Sequence, residues 1–341
     1  MTSVLEQLPK LVGEGKREAE RIMERLDSNY RVGLQTREVV IPSRDTNAAD
    51  MLRLAGRASH SLNAAEMNRL IYGDNLLAMA ALLAGSDDTP SMRGKVALIY
   101  IDPPYDSKAD YRTKIQLPGA AIEQKPTVIE QFAYSDTWEK GVVSYVAMMV
   151  PRLAVMRELL SNSGSIFVHV DWHVSHYVRL ILDEIFGKDK FRNEIAWCYG
   201  GGGAPQDYYP KKHDNIFWYT KSDDWQFTKQ FRPYSEGTLQ RGLTAVKGDN
   251  YKLDEQGAGL DDWWADKPVQ KILSPTAYEN LKYATQKPLG LLRRIINGHS
   301  KEGDIVADFF AGTSTTAAAA EELGRKWIAT CLLYTSDAAD E

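Results

Sequence analysis

The chain has 341 residues, 43% hydrophobic and 26% charged, with a formal net charge of −5 and two cysteines, Cys198 and Cys331. That composition is globular and fits one large α/β domain or one domain with an insert; it excludes a disulfide framework and a Cys-rich zinc module. No apolar run reaches the roughly 18 residues of a membrane helix, and the net acidity excludes a basic coat, so any nucleic-acid contact has to be a local patch. The polar, amphipathic N-terminus has no signal-peptide core, which makes a reducing cytoplasm the expected compartment.

In chain order, residues 1–60 read as a helical, charged extension with a polar break at 42–49 and a short apolar run, 39–41, able to form a strand. From about Arg69, short apolar runs alternate with helical periodicity, which predicts βα units and a parallel sheet. Residues 96–101 (VALIYI) read as a buried strand ended by Asp102-Pro103-Pro104. Residues 142–160 predict a helix, and 164–170 a second strand after a Ser-Asn-Ser-Gly turn. Residues 175–186 have helical spacing and stop at Gly187. Strands are expected at 194–199 and 215–220, around the glycine loop 200–203. A helix at 289–296, a strand at 304–308, an Ala-rich helix at 314–323 and the start of a strand at 326–330 follow.

The last eleven residues, CLLYTSDAADE, break this pattern. They resemble translated read-through of a transposase-type sequencing adapter; the alternative is a short native acidic tail. On the adapter reading the native frame is expected to run on beyond Thr330. Leaving out Asp337, Asp340 and Glu341 changes the net charge from −5 to −2.

Two motifs carry the chemistry. Asp102-Pro103-Pro104-Tyr105 stands directly after a strand, and the carboxyl ends of parallel strands are where open α/β sheets hold ligands. The prolines fix φ and lack N–H donors, so a carboxylate and a bare carbonyl face one cleft. That pair of acceptors suits an exocyclic amino group, and Tyr105 offers a face on which a planar base can stack. The second motif, Asp308-Phe309-Phe310-Ala311-Gly312-Thr313-Ser314-Thr315-Thr316, is a small-residue loop between a strand and a helix. It lets backbone approach a ligand at a helix N-terminus, but it is neither G-x-G-x-x-G nor a P-loop. Taken singly, each motif reads as a turn or a helix cap.

Taken together, and in this order, they resemble the circularly permuted (β-class) S-adenosylmethionine-dependent DNA amino-methyltransferases, a group that includes the modification subunits of type III restriction systems. The resemblance covers about 66–330 and rests on LIYGDNLLAM (70–79), ALIYIDPPY (97–105), GSIFVHVDWHVSHYVRLILDEIFG (164–187), KKHDNIFWYTK (211–221), TQKPLGLL (285–292) and DIVADFFAGTSTTAAAAEELGRKWIA (304–329). It implies an α/β, Rossmann-like, permuted fold with a helical N-terminal extension (1–60), a catalytic half (66–221), a target-recognition insert (222–284), a cofactor-binding half (285–330) and a non-native tail (331–341). It further implies that Asp102 and the Pro103 carbonyl, set by Pro104, hold the target amine while Tyr105 stacks on the base. Asp308, Phe309 and Gly312 would line the S-adenosylmethionine pocket, Thr285, Gln286 and Lys287 would hold its carboxylate, and Asp74 would face its adenine. Asp74 also reads as a helix N-cap and Lys287 as a surface lysine. One departure is Thr313-Ser314, where the family commonly has Ser-Gly, a change expected to tighten the loop.

His169, Asp171, His173 and His176 mimic a metal cluster but straddle a strand and a turn, so no metal is expected there. Cys198 reads as a core thiol. Segment 187–232 holds eleven aromatics and eight Lys/Arg against six acids, so with Lys211, Lys212 and His213 it is the candidate DNA-facing surface, although most of its aromatics read as core. The reading is thus adenine-N6 methylation of double-stranded DNA with a flipped target base. The alternatives are cytosine-N4 methylation, a non-catalytic DNA- or cofactor-binding fragment, and an RNA or protein amino-methyltransferase, whose motifs usually run in the reverse order. A second copy of the chain and a restriction subunit are candidate partners, and association with the nucleoid is expected. Two structural expectations follow: Asp102 and Asp308 end adjacent strands at one cleft, and part of 331–334 is drawn into the last strand.

Overall fold

A computed structural model describes residues 3–26, 33–35, 67–86, 89–104, 113–117, 120–124, 141–200, 205–242, 253–272, 277–281 and 285–331. The first half contains α1 (Val4–Arg25), β1 (Arg69–Tyr72), α2 (Asn75–Ala84), β2 (Val96–Ile101), β3 (Thr113–Leu117), β4 (Ala120–Gln124), α3 (Val142–Leu159) and β5 (Leu160–Val170). Then come α4 (Ser175–Phe186), β6 (Phe191–Cys198), β7 (His213–Thr220), β8 (Phe231–Arg232), α5 (Glu236–Gly242), β9 (Ala258–Gly259) and β10 (Trp263–Trp264). The chain closes with α6 (Leu289–His299), β11 (Ile305–Asp308), α7 (Thr315–Glu322) and β12 (Lys326–Cys331).

Eight strands form one sheet in the order β1-β12-β11-β2-β5-β7-β6-β10. Every strand runs parallel to the others except β7, which is antiparallel to both its neighbours. Period-two alternation decides which side chain enters which core. In β2, Ile99 and Ile101 join the core under α2, α3 and α4, while Leu98 and Tyr100 join the core under α6 and α7. The result is a three-layer α/β sandwich. Successive strands run outward from β2 to β5 on one side and from β11 to β12 on the other. The sheet therefore switches direction between β11 and β2, and at such a switch the loops part to leave a crevice.

Several boundaries differ from expectation for identifiable reasons. Strand β5 starts at Leu160 rather than Gly164, because Leu160 pairs with Val96 and Ser165 with Leu98, so 161–164 bulge within the ladder. The β3–β4 hairpin was not foreseen. Region 222–284 is tied to the sheet where β10 pairs with β6 and the Trp197 indole donates to the Val269 carbonyl at 2.6 Å. The N-terminal extension docks α1 onto α3 through Val12, Gly15 and Ala19. The approach is close enough that a Cβ on Gly15 would lie 2.5 Å from Val150. The run 39–41 lies outside the described residues. Cys331, from the atypical tail, is the last residue of β12, pairs with Tyr72 and donates its thiol to the Gly312 carbonyl at 3.5 Å; 332–341 lie outside the described residues.

Candidate active site

The two motif strands are neighbours. Leu98 aligns with Val306 and Ile99 with Ala307, so Asp102 and Asp308 stand at the carboxyl ends of adjacent parallel strands, as expected. Val306 lies in the same core as Leu98 and Tyr100, and alternation therefore turns Asp308 and Asp102 towards the α6 side of the sheet.

Asp308 is buried. One carboxyl oxygen accepts the Phe310 N–H at 2.9 Å and the other accepts the Thr316 hydroxyl at 2.5 Å. Burial pushes this carboxyl up to about 7; nearby Asp102 adds to the push, and the Thr316 and Phe310 bonds and the Lys287 charge oppose it. Gly312 takes a positive φ of 51°. Ser314 is held at φ 57°, a left-handed conformation that an L side chain adopts at a cost. Its hydroxyl is buried with no hydrogen-bond partner. The Phe309 ring is packed in the core, and its carbonyl accepts the Asn75 side-chain N–H at 2.8 Å.

Across the crevice, the Lys287 ammonium is ion-paired with the Asp102 carboxylate, and the two side chains are only 12% and 17% exposed. Lys287 is thus no surface lysine; it sits two residues before α6 and reaches back to the end of β2. Pro103 is buried and Pro104 half-buried beside it, while Tyr105 lies outside the described residues. Thr285 is exposed. The Gln286 carboxamide accepts from the Leu281 N–H at 2.8 Å and donates to the Glu279 carbonyl, pinning that segment.

Asp74 takes the N-cap position of α2. One oxygen accepts from Leu76 and Leu77 at 2.9 and 3.0 Å, and the other pairs with Arg152 at 2.8 Å. Arg152 also donates to Asn75, which holds Phe309. This α3 arginine, unremarked in the sequence, ties the Asp74 turn to the backbone of the second motif.

Sequence reasoning also missed a buried polar row on the α6 side of the sheet. The Tyr100 hydroxyl bonds His169 at 2.8 Å, His169 bonds Asp214 at 3.2 Å, and Asp214 accepts the Tyr199 hydroxyl at 3.1 Å, spanning β2, β5, β7 and the end of β6. Burial drives Tyr100 well above its ordinary range, with Asp102, Asp308 and Asp214 adding to it. Burial also pushes Asp214 up, but the His169 bond and charge, with Lys287 and Tyr199, more than reverse it. His169 points into this row, whereas His173 pairs outward with Asp171. A repeating parity signal at Tyr100, His169 and Asp214 was present in the strands, but only their alignment makes it a row.

On the rim, Lys211 lies 3.4 Å over the exposed Trp172 ring, and the exposed His213 opens β7. Lys212 is half-buried, and its carbonyl accepts the Tyr199 N–H at 2.9 Å. Tyr208, Tyr209 and Trp225 are exposed, whereas Trp197, Phe217, Trp218 and Tyr219 are core. Cys198 is half-buried at the strand edge rather than in the core. A separate open cleft of about 770 Å³, bounded by Gln230, Pro268, Tyr278 and Arg294, is lined by Leu289 and Gly290 of the 285–292 stretch but by none of the candidate catalytic or cofactor residues.

A three-layer α/β sandwich with two acidic motifs at the sheet's switch point defines the class, a Rossmann-like α/β fold. The DNA methylase family model matches residues 96–332, and the chain belongs to that family. Among its relatives, the Type II methyltransferase M.EcaI of Enterobacter cloacae is 25% identical, over 89% of this chain and 74% of that protein. The probable type III restriction-modification enzyme HindVI Mod subunit of Haemophilus influenzae is 31% identical, over 79% of this chain but 49% of its own length. The DNA adenine methyltransferase YhdJ of Escherichia coli is 26% identical, over 77% of this chain and 78% of that protein.

Proposed function

We propose that the chain transfers a methyl group from S-adenosylmethionine to the N6 amino group of adenine in double-stranded DNA. The observation that carries this is the meeting of Asp102 and Asp308 at the ends of adjacent strands. The donor set fits the cofactor. Carboxylates at Asp102 and Asp308 suit a sulfonium and an ammonium, Lys287 suits a carboxylate, and the partnerless buried Ser314 hydroxyl lies in the loop that follows Asp308. When bound, the cofactor supplies an electrophilic methyl group on sulfur. The Asp102 carboxylate and the Pro103 carbonyl accept the two N–H groups of the target amine. That draws the nitrogen lone pair out of ring conjugation and directs it at the methyl carbon. The new C–N bond would take both its electrons from nitrogen while the pair of the breaking methyl–sulfur bond stays on sulfur, which leaves as a neutral thioether, and the amine proton would leave through its Asp102 hydrogen bond.

Asp at the head of the motif and the adenine methyltransferase among the relatives favour adenine over cytosine. A base in the stack cannot reach strand ends recessed in a crevice, so the target nucleotide is flipped out. Lys211, Lys212 and His213, with Trp172, supply the DNA-facing rim. Mod-type relatives support a restriction subunit as partner, and a second copy of the chain is the other candidate. Among the described residues no helix is long and apolar enough to cross a membrane; a DNA substrate favours cytoplasmic, nucleoid-associated DNA as the site of action.

Tritiated-methyl transfer to unmethylated DNA, followed by nucleoside analysis, tests the reading. Labelled N6-methyladenine is expected, and Asp102→Ala should lower the rate at least ~100-fold. Labelled N4-methylcytosine would shift the assignment to cytosine. DNA binding without transfer would support the non-catalytic reading, and an Asp102→Ala variant as active as the parent would overturn the site.

A further inference from the structure

Lys287 and Asp102 lie 185 residues apart in the chain, yet their side chains meet in the crevice and shield each other from water. The amine-accepting carboxylate is thus already engaged on one oxygen. The anionic groups near this ammonium are Asp102 in contact, with Asp308 and Asp214 within electrostatic reach. One positive charge cannot neutralise two buried carboxylates, so a second carboxylate brought to Lys287 competes with Asp102 for it.

Building on the proposed function, we propose that Lys287 is an exchangeable counterion. In the free protein it holds Asp102; when the cofactor binds, its carboxylate takes Lys287, and Asp102 is released to accept the base amine. Cofactor occupancy and base capture are then coupled through one side chain, and the coupling is reciprocal. Asp102 withheld from the base until the methyl donor is in place keeps an extruded base from being held unproductively.

The test is a binding cycle that needs no DNA and no turnover. S-adenosylhomocysteine carries the amino-acid carboxylate, and 5′-methylthioadenosine lacks the amino-acid end. Calorimetric titration of the full chain is expected to show Asp102→Asn tightening S-adenosylhomocysteine about tenfold while leaving 5′-methylthioadenosine unchanged. Lys287→Met should weaken S-adenosylhomocysteine and erase the gain from Asp102→Asn. Where Lys287→Met is too unstable alone, the Asp102→Asn/Lys287→Met double variant removes both charges together, and its S-adenosylhomocysteine affinity should fall below that of Asp102→Asn. The proposal is overturned if Asp102→Asn leaves S-adenosylhomocysteine binding unchanged or weaker, if it tightens both ligands alike, or if its gain survives without Lys287. A wild-type chain that binds neither ligand overturns the proposed function itself, and this proposal with it. Methyl transfer with an uncoupled cycle overturns the counterion role alone.

Discussion

Asp308 is a carboxyl that the fold makes hard to ionise. Its native value of about 7 stands above the ordinary 3.8, so the native state holds its proton where the unfolded chain has lost it. Below about pH 4 the group is neutral in both states and costs nothing. As pH rises from about 4 to 7 stability falls by ~4 kcal/mol, and above pH 7 the loss is constant. Urea melts should therefore show Asp308→Asn gaining on the wild type across that window and running level above it; a constant difference from pH 4 to 8 would refute this. Ser314 offers a complementary test. Its φ of 57° costs an L residue about 1 kcal/mol, so Ser314→Gly should raise stability by up to ~1 kcal/mol despite glycine's greater unfolded entropy. The buried row makes the opposite prediction: His169→Phe leaves Tyr100 and Asp214 without their partner and should cost ~3 kcal/mol or more in chemical denaturation. At this scale the sequence carried the identity of Asp102, Asp308 and Lys287. It carried Asp74 only as a choice between cap and ligand, and the Arg152 contact shows both of its oxygens in use within the protein.

Elements place these residues, and two glycines show how tightly. Gly290, in the first turn of α6, lies so close to the turn at 267–269 that a Cβ would sit 1.6 Å from the Pro268 carbonyl oxygen. Gly290→Ala should shift the start of α6, cost about 1–3 kcal/mol and weaken S-adenosylhomocysteine binding by moving Lys287; a thermal melt and the same calorimetric titration check both. Gly15 plays the matching part between α1 and α3. The strands at the motifs were legible because apolar runs ended in Pro or Gly signals. The start of β5 at Leu160 was not, because a Ser-Asn-Ser-Gly string reads locally as a turn and only the β2 ladder turns it into a bulge. The two-residue strand β10 carries no pattern to read and exists through its pairing with β6.

At the scale of the molecule, the most protected backbone should lie where the sheet is covered on both faces. Amides of β11, β2 and β5 are expected to exchange at the global unfolding rate, with α1 and β8–β9 exchanging earlier; hydrogen-exchange mass spectrometry reads this directly. The sequence by itself determined the class of fold, the two motifs, their permuted order and therefore the family, because each is a local string of residues with its own chemistry. Only the tertiary structure decided that β11 lies beside β2, that Lys287 holds Asp102, that Phe309 faces the core and Gln286 a neighbouring turn, and that Tyr100, His169, Asp214 and Tyr199 form one row. Those are contacts between residues tens to hundreds of positions apart, set by strand register and by which helix covers which face, and no local propensity encodes them.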